Sequence, residues 1–134
     1  MRIAHVSIVV RDYDEAITWF TQKLGFRLVE DTKLSDTKRW VLVAPPGDGN
    51  TSLVLARAAG ESQQKAIGNQ TGGRVGFFLQ TDDFQRDYRA FLARGVEFIE
   101  SPRNEEYGTV AIFTDLCGNK WDLIQYQPGA QALG

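Results

Sequence analysis

The residues able to do chemistry in this 134-residue chain are few and far apart. The single histidine, His5, lies in the opening run IAHVSIVV, and one carboxylate, Asp122, interrupts the apolar run KWDLIQ. An imidazole and a carboxylate can ligate a divalent cation, move a proton, or line a pocket as polar groups hydrogen-bonded to each other. The single cysteine, Cys117, stands between Leu116 and Gly118. With no histidine placed beside it, Cys117 reads as a small turn residue and not as a nucleophile. One cysteine also excludes an intrachain disulfide framework and a multi-cysteine zinc site. The acidic pair Asp82-Asp83 precedes a helical pattern and is better explained by capping than as a catalytic dyad.

The elements that must position these residues recur in the two halves of the chain. RDYDEAITWFTQKLGFRLVE (11–30) returns as DDFQRDYRAFLARGVEFIE (82–100), with Asp12 over Asp83 and Phe20 over Phe91, 71 residues apart. RWVLVAPPGDGNTSLVLA (39–56) returns as GTVAIFTDLCGNKWDLIQ (108–125), with Gly49-Asn50 over Gly118-Asn119, 69 apart. Each half opens with a β-branched or aromatic strand, 3–10 or 75–81. An Asp N-cap then starts a helix with apolar residues at helical spacing: Ala16, Ile17, Phe20 and Leu24, or Phe84, Tyr88, Phe91 and Leu92. Gly25 and Gly95 stop the helices, and three strands follow, FRLVE, RWVLVA and TSLVLA or VEFIE, TVAIF and KWDLIQ. The expectation is one α+β domain made of two tandem βαβββ modules, 1–57 and 74–127. A polar, Gly-rich linker or flap, 58–73, joins them, and curled mixed sheets enclose a shared cleft with helices outside.

Within that frame Asp122 falls on the last strand, and its repeat partner is Leu53, or Val54 if the register slips by one. Trp121 and Leu123 then face the helix layer, because successive strand residues face opposite sides. Trp40, entering its strand beside Arg39, is the aromatic residue best placed to wall a pocket. The segment SPRNEEYGT (101–109) reads as a solvated connection, and Arg74 could contact an anion.

Composition narrows the function classes. Fifteen Lys and Arg against seventeen Asp and Glu leave a net charge of −2, without the basic excess that nucleic-acid binding requires. No stretch approaches the length of a membrane span, and His5 and Ser7 interrupt the opening apolar run too early for a signal peptide. A cytoplasmic location is expected.

The opening IAHVSIVVRDYDEAITWFTQKLGF, the central FFLQTDDFQRDYRAFLARGVEF and the closing YGTVAIFTDLCGNKWDLIQ, in that order and with the internal repeat, resemble the vicinal oxygen chelate superfamily. Its members include glyoxalase I, extradiol dioxygenases, fosfomycin-resistance enzymes and bleomycin-resistance proteins. The resemblance implies four metal-ligand positions, which fall here on His5, Leu53 or Val54, Gly76 and Asp122. It also implies that Arg103, Glu106 and Tyr107 border the cavity, and that the chain forms a homodimer. Two of the four positions carry no side-chain ligand, and a single histidine does not suffice for an extradiol dioxygenase. Two readings follow. One is a binding protein for a small organic molecule with a degenerate metal site, its pocket drawing on His5, Trp40, Gly76, Arg103, Glu106, Tyr107 and Asp122. The other is a glyoxalase-type lyase or isomerase in which His5, Asp122 and further ligands hold one Zn, Ni, Mn or Fe ion.

Overall fold

A computed structural model describes residues 1–129, which form three helices and nine strands in two mixed sheets, neither of them closed. The chain divides into two compact units, Met1–Gln70 and the chain from Thr71 onward.

The first unit contains β1 (His5–Val10), α1 (Tyr13–Gln22), β2 (Arg27–Lys33), β3 (Arg39–Ala44), β4 (Ser52–Arg57) and α2 (Gly60–Ala66). Asp12 is extended and its carboxylate accepts the Glu15 N–H at 2.8 Å, which satisfies a free donor of the first turn of α1. Gly25, at φ 71°, lets the chain reverse, and the Phe26 N–H closes back on the Phe20 carbonyl at 3.0 Å. The sheet order is β1-β4-β3-β2, with β1 parallel to β4 and the other pairs antiparallel. Ala16 and Phe20 of α1 are fully buried, as are Ile8, Val10, Val41, Val43 and Leu55 of the sheet. Arg39 shares a face with Val41 and Val43, and it reaches Asp14 of α1 at 2.9 Å. That face is therefore the helix side, and Trp40, Leu42 and Val54 lie on the other.

The second unit repeats this plan with β5 (Val75–Gln80), α3 (Phe84–Ala93), β6 (Glu97–Phe98), β7 (Arg103–Glu105), β8 (Gly108–Thr114) and β9 (Lys120–Tyr126). Asp83 caps α3 through the Arg86 N–H at 3.1 Å. The order is β5-β9-β8-β6, with β7 also on β8. Trp121 stacks on Phe77 and Phe113, and Phe113 meets Phe91 of α3 edge-on at 5.6 Å. Trp121 and Leu123 thus face the helix, as alternation from Asp122 requires.

Three features depart from the sequence-based expectation. The 101–109 connection is not wholly a loop: Arg103–Glu105 pairs with β8, and Pro102, which has no N–H to give a ladder, divides this edge into β6 and β7. The polar stretch 58–73 carries α2, none of whose residues is buried. At its far end the Gln70 amide clips the free edge of β1, accepting the Val9 N–H at 2.8 Å and donating to the Ser7 carbonyl at 2.7 Å. A side-chain amide there takes the place of a neighbouring strand. Leu92, placed by spacing among the apolar residues of α3, is 46% exposed, and the helix packs through Phe84 and Phe91 instead.

Candidate functional site

In the first unit, β3 and β4 are in register only at Leu42↔Val54 and Val43↔Leu53. Towards Arg39 and Arg57 the two strands separate, and a pocket of about 720 Å³ opens between them. Trp40, Val54 and Ala56 line it from one face of the sheet, Tyr13, Arg39, Leu55 and Arg57 from the other, with Leu34 and Gln63 at its margins. Tyr13 fills part of the gap, and its hydroxyl accepts the Arg39 backbone N–H at 3.2 Å, a donor that β4 does not take. His5 is exposed on β1, with its ring edge-on to Trp40 at 5.7 Å. His5 and Trp40, far apart in sequence, are therefore brought together.

In the second unit, Asp122 lies on the face of β9 away from α3, between Phe78 of β5 and Ile112 of β8. Its Oδ1 is buried without a hydrogen-bond partner. Burial pushes this carboxyl above the usual carboxylate range; the Arg103 charge opposes the shift and Glu100 reinforces it. Arg103 donates to Glu105 at 2.6 Å and to both oxygens of Glu100 at 3.1 Å. Glu100 also accepts the Ile112 N–H at 3.0 Å, which fixes the group beside Asp122. Arg103 and Asp122 thus share one neighbourhood, whereas Glu106 and Tyr107 are exposed in the β7–β8 turn.

The strand registers correct the repeat alignment. Ser7, Val54 and Leu42 form one row of the first sheet, on the face away from α1. Phe78, Asp122 and Ile112 form the matching row of the second, away from α3. The counterpart of Asp122 is therefore Val54, while Leu53 faces α1. For the same reason Thr109 and Ala111 match Arg39 and Val41, not Trp40 and Leu42. Aligning the two Gly-Asn turns hides a one-residue difference in how each turn enters its strand. Gly76 sits at a register irregularity in β5, and a Cβ added there would lie 2.7 Å from Thr71 Cγ2.

Val54 offers no ligand, Gly76 has no room for one without displacing Thr71, and Asp122 feels the charge of Arg103. Among the described residues no three His, Cys, Asp or Glu side chains come together as a set able to hold a metal ion. The donor set does not fit a four-position metal centre. No helix of the described residues is long and apolar enough to cross a membrane.

A sequence-family model described as the Glyoxalase/Bleomycin resistance protein/Dioxygenase superfamily matches residues 2–123. The chain belongs to this superfamily. A chain of Shewanella frigidimarina (strain NCIMB 400), described only as an uncharacterized protein, is 53% identical over 92% of each chain. Among solved structures, UcmS2 is 28% identical with a TM-score of 0.81, covering 92% of this chain and 97% of its own. TnmS3, described as an antibiotic binding protein from Streptomyces sp. CB03234, is 30% identical with a TM-score of 0.76, covering 95% and 97%.

In each unit, part of the cluster carried no sequence signal strong enough to find it. Glu100 is the last residue of a strand-like VEFIE, and only the fold turns it onto Arg103 and the Ile112 amide. Tyr13 and Arg57 join the Trp40 pocket because α1 starts against the end of the sheet. Their sole trace in sequence is an aromatic residue beside the Asp12 cap.

Proposed function

We propose that this chain binds a planar, largely apolar organic molecule and does so without a metal centre built from its own side chains. The observation that carries the reading is the pocket where β3 and β4 part, walled by Trp40, Tyr13, Leu34, Val54 and Leu55. Its volume suits a drug-sized ligand, and two aromatic side chains supply flat apolar walls with polar handles. The similarity to TnmS3, an antibiotic binding protein, supports an antibiotic-like ligand class. Cytoplasmic location and homodimerisation belong to the same proposal. The outermost strand β2 supports the latter, since all seven of its residues are exposed, among them Leu28 and Val29.

The test is a titration with planar aromatic antibiotics, followed by tryptophan fluorescence. Quenching that saturates in the wild type and is lost in Trp40→Leu is the expected result. Saturable binding unaffected by that substitution would move the site elsewhere.

A second reading, a metal-dependent lyase or isomerase, draws support from the unpartnered buried Oδ1 of Asp122, an atom of the kind that ligates cations. Metal analysis of protein purified without chelator separates the two. One equivalent of Ni, Zn, Mn or Fe that disappears in His5→Ala would establish the enzyme reading. No metal after reconstitution, and no thermal shift with divalent ions, is the outcome expected for the binding protein.

A further inference from the structure

Charge around the Trp40 pocket is one-sided. Of its lining residues, Lys38, Arg39 and Arg57 are cationic and none is acidic. A neighbouring surface pocket shares Tyr13, Thr37, Arg39 and Arg57 and contains four aspartates, Asp12, Asp14, Asp31 and Asp36. Every one of those carboxylates is engaged. Asp12 caps α1. Asp14 and Asp31 both pair with Arg39, at 2.9 and 2.6 Å, and the Arg39 hydrogen bond holds Asp31 below the usual carboxylate range. Asp36 meets Lys33 at 3.4 Å.

Arg57 is the contrasting case. It lies over the Tyr13 ring with Cζ 5.7 Å from the centroid, and Arg39 approaches the same ring at 5.2 Å. Arg39 is neutralised by two aspartates, whereas Arg57 makes no ion pair within 4 Å among the described residues. A guanidinium held against an aromatic ring presents its fork of N–H donors in a fixed plane, which suits an oxyanion lying in or near that plane.

We infer that the pocket selects planar aromatic anions, carboxylates, sulfonates or ionised phenols, and that Arg57 is the residue that selects for the charge. The aromatic body lies against Trp40 and Tyr13, and the anionic group meets Arg57 at the mouth, with Lys38, which makes no ion pair among the described residues, adding positive charge. This rests on the binding reading given above and names the ligand class for that same pocket.

Two fluorescent probes separate charge selection from aromatic binding: 8-anilino-1-naphthalenesulfonate, which is anionic, and N-phenyl-1-naphthylamine, which is neutral. The wild type is expected to bind the sulfonate more tightly, and its affinity to fall as NaCl is raised. Arg57→Gln should weaken sulfonate binding about tenfold, the size of a hydrogen bond to a charged group, and change the neutral probe by less than about twofold. Trp40→Leu should weaken both probes. Arg57 is exposed, so a thermal melt of Arg57→Gln matching the wild type verifies that the comparison is between folded proteins. Equal loss for both probes in Arg57→Gln, or none for either, overturns the inference and leaves the pocket reading standing. Failure of both probes to bind the wild type, or binding insensitive to Trp40→Leu, overturns both readings, and binding of the neutral probe alone overturns the inference.

Discussion

At Asp122 the fold places a carboxylate on the apolar row of β9 and leaves one of its oxygens buried without a partner. Arg103, the cation whose charge acts on it, is held by Glu100 and Glu105 and gives Asp122 only a long-range attraction. Because burial raises the folded-state value above the unfolded one, folding takes up a proton at this site. Its contribution to stability therefore grows as pH falls through the raised value and levels off below the ordinary value of 3.8. Asp122→Asn should be more stable than the wild type at pH 7 by about 1 kcal/mol, seen as about 3–5 °C in Tm. The difference should shrink steadily as pH is lowered towards 4 in a series of melts. A constant difference across that range would show that the charge of Asp122 is not what costs stability.

At the scale of elements, two connections hold the strands in place. In the β8–β9 turn, the buried Asp115 accepts the backbone N–H groups of Cys117, Gly118 and Asn119 on Oδ1, and Asn119 Nδ2 and Trp121 Nε1 on Oδ2. Asp115→Ala strands several of these donors, the indole N–H of the buried Trp121 among them. It should cost about 3–4 kcal/mol in denaturant unfolding, and the near-UV circular dichroism of the aromatic stack should weaken. The Cys117 thiol belongs to a residue whose amide this turn uses, consistent with a turn position in the sequence. At Gly76 the limit is space: Gly76→Ala should destabilise by about 1–2 kcal/mol through contact with Thr71 Cγ2, and Thr71→Ser in the same chain should recover most of that loss. A double-mutant cycle on Tm measures the coupling.

For the whole molecule, the two units share a plan but not an equipment. The first carries an aromatic, cation-lined pocket where its sheet parts. The second carries a carboxylate–guanidinium cluster on an intact ladder running from Gly108 to Thr114 against β9. The proposed homodimer is checked by light scattering on the eluting protein, where a mass of twice 15.0 kDa is expected. Leu28→Glu with Val29→Glu on β2, residues 44% and 41% exposed, should yield the monomer if this edge is the contact. A binding protein of this kind should also keep its Tm within about 1 °C after exhaustive chelation, since nothing bound to the native state has been removed.

The sequence by itself determined the elements of the two modules and their order, with α2 and β7 the exceptions. Asp12 and Asp83 as caps, Gly25 and Gly95 as stops, the helical spacing of Phe20 and Phe91 and the alternation around Asp122 are local rules, and each holds in the fold. It did not determine register. Whether Val54 or Leu53 stands opposite Asp122 depends on how many residues a turn consumes before hydrogen bonding begins, and one residue moves a whole strand to its other face. Nor could it show that Pro102 splits an edge strand, or that β3 and β4 part after two pairs to admit Tyr13. Those are outcomes of packing between segments distant in sequence. Only the tertiary structure could decide that Arg39 is neutralised and that Arg57, among the described residues, is not.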